Sequence, residues 1–256
     1  MDCHTHTEYS DCAEDVTLAG YRDFAAQNPL VFAVTDHSAQ LLYPPDNKWG
    51  FWRENADEVW ERCYDEGCQR IRDYLADVRH HQCGGMLVGI ELDIHHDGLL
   101  AFPEDELPGL DIVLGAAHRL RTAEAGAPAR EIVAEYQRQT RWLLEKGAQV
   151  IAHPFRQILS PRHPVEPDRR LIEWVVSVAD EFGAAIEINS HKQFWDLDVA
   201  LAKLALETGV RLAAGTDCHR WSEFGDFAYH LQVAEAAGAP GPQVYLSASD
   251  LAAEDG

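Results

Sequence analysis

Runs of Val, Ile and Leu alternate with longer segments of helical spacing along the whole chain. The runs are typical of strands buried on both faces, and they lie at residues 30–35, 86–90, 111–116, 149–152, 184–188 and 210–214. Between them, apolar residues recur at helical spacing, as at Leu171, Val175, Val178 and Phe182, which predicts helices that pack on a sheet. The alternation therefore indicates parallel strands joined by helical crossovers.

The length of the chain suits one α/β barrel. Its 256 residues are 46% hydrophobic, which is enough for one sizeable core and matches the length of a typical barrel. We find no linker or repeat that would divide the sequence, so we predict one domain over residues 1–256. Period-2 alternation around Asp97-Gly98 predicts a hairpin within residues 90–102. Residues 41–53, rich in Pro and Trp, are predicted to form a loop.

The charge of the chain limits its partners. There are 43 acidic and 21 basic residues, for a net charge of −22, and no basic stripe offsets them. This balance argues against extended binding of nucleic acid or anionic lipid. No apolar run approaches the roughly 18 residues of a membrane helix, and the first residues do not resemble a signal peptide. We therefore predict a soluble, cytoplasmic protein.

The six cysteines are scattered through the chain. This distribution differs from the dense cysteine framework of a small secreted protein, so we expect no structural disulfides. Cys63 and Cys68 lack the spacing of a zinc knuckle and are interpreted as packing residues.

Histidines and carboxylates fall at the C-terminal ends of the predicted strands. His4 and His6 alternate on one face of a first short strand, so their imidazoles point into the same space. In a parallel barrel the C-terminal strand ends converge at one mouth, which predicts a site for several metal ions. Imidazole and carboxylate ligands suit zinc, iron or manganese. The other ligand-type residues at strand ends are Asp36, His37, Glu91, His118, His153, Glu187, Asp217 and His219.

The remaining histidines lie away from these positions. Some follow predicted helices or loops and are expected to face solvent, and others lie near the mouth, where their role stays open. The first set is His80, His81, His163 and His230, and the second is His95, His96 and His191.

Six short motifs follow one another along the chain. They are H-T-H-T-E-Y-S at residues 4–10, V-T-D-H at 34–37, G-I-E at 89–91, A-A-H at 116–118, I-A-H-P at 151–154 and G-T-D-C-H at 215–219. In this order they resemble the PHP family, named for polymerase and histidinol phosphatase. The resemblance covers nearly the whole chain and rests on the ordered set. It implies a distorted seven-stranded (β/α)7 TIM-like barrel with a metal site at the C-terminal strand ends.

The resemblance also implies a trinuclear centre in which Glu91 bridges two metals. The implied ligands are His4, His6, Glu91 and Asp217 for the first metal, Glu91, His118 and His153 for the second, and His37, His219 and Cys12 for the third. Cys12 stands where phosphatase-like members usually carry histidine. Either Cys12 or the neighbouring Asp11 completes the third site with an altered metal preference, or the chain holds only two metals. The expected cofactors are two or three divalent ions of Mn, Zn or Fe.

Such a centre would hydrolyse phosphate esters. Two metals sharing Glu91 would lie roughly 4 Å apart and lower the pKa of a bridging water, so that a metal-activated hydroxide attacks phosphorus. Arg156 and Arg119 are candidate clamps for the phosphoryl oxygens. An ordinary surface position is the alternative for either arginine, and for Arg119 the two roles are equally supported.

Two further residues have candidate roles near the reacting groups. Asp36 either moves a proton or orients the adjacent His37. Trp49, in the 41–53 loop, either contacts the leaving group or ties the loop to the barrel.

Three classes of function fit this sequence. The first is a phosphoesterase for a small phosphate monoester, of a histidinol-phosphate or nucleotide type, with that ester as the expected partner. The second is an amidohydrolase-like C–N or ester hydrolase, whose usual ligating lysine has no counterpart in a matching position. The third is a non-catalytic metal-binding PHP module, against which the nearly intact ligand set argues. The sequence does not indicate an oligomeric state.

Overall fold

The computed structural model describes residues 1–48, 50, 56–159, 164–239, 241 and 245–251, except for the side chains of 56–60. Within these ranges a seven-stranded sheet runs in the order β1 to β7, and every neighbouring pair is parallel. The strands are β1 Asp2–Thr5, β2 Phe32–Val34, β3 Met86–Asp93, β4 Ile112–Ala116, β5 Val150–Ile151, β6 Ala185–Asn189 and β7 Leu212–Gly215.

The first and last strands meet at the end that carries the ligand-type residues. The Asp217 backbone N–H donates to the His4 carbonyl at 2.8 Å, and a parallel bridge joins Thr5 to Cys218. These contacts nearly close the sheet into a barrel. The predicted seven-stranded α/β barrel is therefore confirmed.

Helices connect the strands and cover the barrel. They are α1 Leu18–Ala25, α2 Ser38–Leu42, α3 Ala56–His81, α4 Arg121–Glu124, α5 Ala129–Glu145, α6 Arg169–Phe182, α7 Trp195–Thr208, α8 Ala228–Ala236 and α9 Ala248–Leu251, with 3₁₀ turns at Pro45–Asn47 and Glu104–Gly109. No helix among the described residues is both long and apolar enough to cross a membrane.

The predicted packing face of α6 is correct except at its end. Leu171, Val175 and Val178 are buried, whereas Phe182 is 36% exposed. The helix ends at Phe182 because Gly183 adopts a left-handed conformation with φ of 67°, which is the usual geometry of a glycine after a helix C-terminus. The Phe182 ring therefore lies at the surface, under the Arg141 guanidinium at 5.5 Å.

The predicted hairpin after β3 is present. Ile94 and Leu100 form an antiparallel bridge, and the His95 N–H donates to the Leu99 carbonyl at 2.7 Å. Gly98 has φ of 94° at the turn, a conformation that glycine adopts without steric cost. Of the predicted 41–53 loop, residues 41 and 42 instead end α2 and Pro45–Asn47 form a 3₁₀ turn, whereas Trp49 and residues 51–53 lie outside the described residues.

All six cysteines are free thiols, and Cys63 and Cys68 are buried in the core as predicted. The prediction that His230 faces solvent is wrong. Its side chain is buried, and Nε2 donates to the Ile188 carbonyl at 2.9 Å, because α8 packs this histidine against the ends of β6 and β7. His80 is exposed and His81 is half-buried, and His163 lies outside the described residues.

Asp198 gives the fold a measurable pH dependence. Burial raises the pKa of its carboxyl to about 6 despite hydrogen bonds from Tyr229 and the Phe194 N–H. The folded protein therefore binds this proton more tightly than the unfolded chain, so stability present below pH 4 is lost as pH rises through 6. Relative to D198N, we expect the wild type to lose at most about 3 kcal/mol of unfolding free energy over this window. Urea denaturation of both proteins between pH 4 and 7.5 tests this, and parallel curves would contradict it.

Candidate metal centre

The centre is built around the fully buried carboxylate of Glu91 on β3. His4 lies on β1, and the other histidines and Asp217 follow β1, β2, β4, β5 and β7 within four residues of the strand end, whereas Cys12 lies seven residues after β1. The barrel thus brings together residues from six strands. The set gathered around Glu91 and its neighbours is His4, His6, Cys12, His37, His118, His153, Asp217 and His219.

One group of candidate ligands comes from β1 and the end of β7. The donor atoms of His4, His6 and Asp217 all lie within 4.8 Å of one another. His6 Nε2 is 2.9 Å from Asp217 Oδ1, and His4 Nε2 is 3.5 Å from Glu91 Oε2. These are the four residues expected to share the first metal.

A second group lies on the other side of the Glu91 carboxylate. Glu91 Oε1 is 2.8 Å from His153 Nε2 and 3.2 Å from His118 Nε2. The donor atoms of these three residues again lie within 4.8 Å of one another. Glu91 therefore presents one oxygen to each group, which is the arrangement that a bridging carboxylate requires.

The third group contains a thiol. The donor atoms of His6, Cys12 and His37 lie within 4.8 Å of one another, and His37 Nδ1 is 2.5 Å from Glu91 Oε2. The ring of His219 lies 4.9 Å from that of His6, between centroids, so it borders the same space. Asp11, the alternative ligand, is exposed, and its N–H donates to Gln40.

The donor set fits divalent metals. His4 Nε2 is buried, has no hydrogen-bond partner within the described part of the chain, and lies 3.5 Å from Glu91 Oε2. A buried polar atom without a partner is costly, and a cation between this nitrogen and the Glu91 carboxylate would compensate it. Imidazole nitrogens and carboxylate oxygens, with one thiol, are ligands for zinc, iron or manganese.

The protonation states of Glu91, His6 and His153 also suit metal binding. Burial raises the pKa of the Glu91 carboxyl, but His118, His37 and His4 together hold it well below its ordinary value. Burial lowers the pKa of both His6 and His153 to about 4. Glu91 is thus ionised and these two imidazoles are neutral at pH 7, which are the forms that bind metals. Despite burial, Glu91 and its neighbours raise the pKa of His4, His37 and His118, so a bound cation would displace protons from these three imidazoles.

Two carboxylates orient the imidazoles. Asp93 accepts from His118 Nδ1 at 2.6 Å and from the Ala39 N–H at 3.1 Å. Glu187 accepts from His4 Nδ1 at 2.8 Å. Such contacts fix which imidazole nitrogen faces the metal. Sequence reasoning missed Asp93, although its period-2 spacing from Glu91 on one strand was a usable signal, and it gave Glu187 no role.

Two candidate ligands have a strained backbone conformation. Among non-glycine residues in the described ranges, His153 and Asp217 have positive φ, of 26° and 51°. L-residues rarely adopt this region, and it persists where the surrounding contacts impose it. Here the imposed turns aim both side chains into the barrel mouth.

Asp36 lies outside the metal-binding groups. Its buried carboxylate accepts from the Thr7 N–H and hydroxyl, from Ser10 Oγ at 2.6 Å and from Tyr74 OH at 3.0 Å. These donors fix the segment between His6 and Cys12. The arrangement supports the orienting role considered for Asp36 and leaves its carboxylate no open position for proton transfer.

The two predicted arginine clamps differ in position. Arg156 Nη2 donates to Asp217 Oδ2 at 2.5 Å and to Asn189 Oδ1 at 2.8 Å, so its guanidinium borders the first group. Arg119 is buried, and its guanidinium donates to Glu124 on α4 at 3.1 Å. The geometry therefore supports Arg156 more strongly than Arg119 as a clamp.

Removing the Asp93 charge should weaken the second group. D93N keeps an oxygen acceptor and the side-chain shape but lowers the basicity of His118, so we expect metal affinity to fall about 10–100-fold. Competition with a chromogenic chelator measures this, with D105N as the control because Asp105 pairs with Arg72 on the surface. Equal affinities of the two variants would contradict the orienting role.

Comparison with known proteins agrees with this geometry. Residues 2–191 match the family model of the PHP domain. The chain is 29% identical over 248 residues to a probable phosphatase of Shewanella sp. strain MR-4, covering 94% of this chain and 84% of that protein. It is 27% identical over 246 residues to a probable phosphatase of Thermoanaerobacter sp. strain X514, covering 93% and 86%.

A solved structure has the same fold. It is histidinol phosphate phosphatase from Lactococcus lactis, complexed with zinc, L-histidinol and phosphate, which superposes with a TM-score of 0.52 at 14% identity over 93% of both chains. This chain therefore belongs to the PHP domain family. The predicted family and the predicted hydrolase class are confirmed.

Proposed function

We propose that this protein is a metal-dependent phosphoesterase that hydrolyses a small phosphate monoester. The observation that supports it best is the position of Glu91, whose two oxygens face two separate groups of imidazoles. A buried, ionised carboxylate between two histidine groups is suited to a pair of adjacent cations.

The candidate ligands form three groups, and each group would hold one cation. His4, His6, Glu91 and Asp217 would hold one cation, and Glu91, His118 and His153 would hold a second. Cys12 and His37, with His219 beside them, would hold a third. Bound there, divalent cations would supply a water nucleophile at neutral pH and positive charge for the phosphoryl oxygens.

Side chains of the protein itself would contact the phosphoryl group and orient the metal ligands. Arg156 is held by Asp217 and Asn189 at the edge of the first group, where its guanidinium can bind phosphoryl oxygens in a forked geometry. Its side chain is 13% exposed, so the guanidinium is largely shielded from solvent. Asp93 and Glu187 hold His118 and His4 in place, which reduces the reorganisation needed when substrate binds.

A small substrate is the simplest choice. The net charge of −22 repels long polyanions, whereas a single phosphate is neutralised locally by cations and Arg156. The similar phosphatases and the neighbouring structure that binds phosphate and L-histidinol support an ester of this size, of a histidinol-phosphate or nucleotide type.

One experiment tests the activity directly. Metal content is measured on protein purified without added metal, alongside hydrolysis of an aryl phosphate before chelation, after chelation, and after refilling with Mn, Fe or Zn. We expect two or three metals per chain and phosphate release that chelation removes and refilling restores. Metal without phosphate release would point to another hydrolysis or to a binding module, and absence of metal after refilling would overturn the proposal.

Cys12 gives the third group a spectroscopic signature. If its thiolate binds the cation, Co²⁺-substituted protein will show a near-ultraviolet thiolate-to-cobalt charge-transfer band, and C12S will lose that band because the sulfur donor is gone. C68S is the matched control, since Cys68 is buried in the core away from the centre. A band that survives in C12S would show that the third site lacks this ligand.

A further inference from the structure

A cavity of about 610 Å³ lies between β7, α8 and the segment that contains α9. We call it the β7–α8 cavity. Its volume is typical of small-molecule sites, which are lined mainly by apolar side chains and a few polar groups. Most of the described lining is apolar, and it is formed by Met1, Ala214, Phe227, Leu231, Tyr245 and Leu246.

His230 contributes a buried polar side chain to this cavity. Its Nε2 donates to the Ile188 carbonyl at 2.9 Å and to the Gly215 carbonyl at 3.2 Å, so this nitrogen carries the proton. Its Nδ1 is buried and has no hydrogen-bond partner in the described part of the chain. Because burial lowers the pKa of His230, the ring is neutral at pH 7 and Nδ1 is an acceptor without a donor. Such an acceptor costs free energy, which a donating ligand would recover.

The other polar side chains that line the cavity already have partners. Tyr245 OH donates to the His230 carbonyl at 2.7 Å. Asp250 Oδ2 accepts from the Ser247 N–H at 2.8 Å and from the Ser247 hydroxyl at 2.7 Å. Asp250 Oδ1 pairs with Arg211 at 3.2 Å. Among the described lining side chains, His230 Nδ1 is therefore the buried polar atom that a ligand would satisfy.

Two aromatic rings stand edge-on to the His230 imidazole. The Phe227 ring lies 5.7 Å away at an interplanar angle of 65°, and the Tyr245 ring lies 6.0 Å away at 87°, between centroids. Aromatic side chains in this arrangement favour contact with another planar ring. Asp250 is the charged side chain of the described lining and is already paired, so a charged ligand would lose hydration without gaining an ion pair there.

We propose that the β7–α8 cavity binds a small, uncharged aromatic compound that donates one hydrogen bond to His230 Nδ1. The ring of the ligand would pack against Phe227 and Tyr245, and its N–H or O–H would satisfy the buried acceptor. The proposal is independent of the phosphoesterase function, because none of the described lining residues is a candidate metal ligand.

Indole and benzofuran test the proposal as a matched pair, because they have nearly the same shape and only indole carries an N–H. Each is titrated into the zinc-loaded, isotope-labelled protein and followed by NMR. We expect indole to bind with a Kd below about 1 mM and benzofuran to bind about fivefold more weakly, which is the effect of one neutral hydrogen bond. The Nδ1 resonance of His230 should move with indole and stay unchanged with benzofuran. Equal affinities, or an Nδ1 resonance that does not respond to indole, would overturn the proposal.

A variant at the opening of the cavity locates the binding. Leu231 lines the cavity and is 48% exposed, so L231W adds bulk there without entering the core and should weaken indole binding about tenfold. L99W is the matched control, since Leu99 is 46% exposed and lies outside the described lining, and it should bind indole as the wild type does. Equal indole binding by the two variants, at melting temperatures near that of the wild type, would contradict the assignment.

Sedimentation of the same proteins tests the other possible occupant, a second copy of this chain. We expect the wild type and L231W to sediment alike. A wild-type dimer that L231W dissociates, together with no binding of indole, would show that the face joins two copies and would overturn the proposal.

Discussion

Replacing Glu91 with Gln should remove most of the bound metal and lower phosphate release by about 10³-fold, or roughly 4 kcal/mol in the activation barrier. The Glu91 carboxylate is fully buried and contacts imidazoles of both groups, at 2.8 Å to His153 and 3.5 Å to His4. The amide of E91Q has no charge and only one acceptor atom, so it cannot serve two cations. Elemental analysis and steady-state kinetics on the same preparations measure both effects.

The control for this variant is E104Q, because Glu104 pairs with Lys146 at the surface. E104Q changes the net charge equally and should retain metal and activity. If E91Q instead keeps the wild-type metal content, Glu91 is not shared between metals, and the two groups bind cations independently. Circular dichroism of both variants separates loss of metal from loss of fold.

Replacing Gly215 with Ala should weaken the metal centre through steric overlap. A Cβ at this position at the end of β7 would lie 1.9 Å from Glu187 Oε1 and 2.9 Å from the His4 Cβ. Glu187 would have to move, and it is the residue that orients His4 through Nδ1. We expect the free energy of unfolding to fall by about 3 kcal/mol from overpacking, together with weaker binding of the first metal.

G109A is the matched control for G215A. There the added Cβ would meet only the terminal nitrogen of Arg79, at 3.0 Å, and that flexible side chain can move aside. Denaturation curves and chelator competition on the two variants test the prediction. A G215A protein with wild-type stability and metal affinity would show that Glu187 is free to relocate without disturbing His4.

The strand pattern was predictable because buried parallel strands carry a local signal. Each apolar run named from the sequence contains or overlaps a strand, including the two-residue β5 at Val150–Ile151. The ligand-type residues could be predicted for the same reason, since all C-terminal ends of parallel strands point to one mouth. Only the family resemblance indicated which of these residues would lie together in each group.

Several contacts could not be predicted from the sequence, for one physical reason. His230 was expected at the surface because nothing in the helix pattern reveals that two strand carbonyls face it. Asp93 was missed as the partner of His118 because the contact joins β3 to the segment after β4. Asp36 was considered for proton transfer, but its environment depends on Tyr74 from α3 and Ser10 from a distant loop. Each contact is decided by packing between elements far apart in the chain.

By itself the sequence determined the alternation of strands and helices, the position of imidazoles and carboxylates at strand ends, and the excess of negative charge. These properties depend on neighbouring residues, through the period of two in strands and 3.6 in helices. The tertiary structure alone decided that Glu91 lies between two histidine groups and that Asp93 and Glu187 orient them. Those relations arise when β1 and β7 close the barrel, because closure sets distances between residues that no local pattern connects.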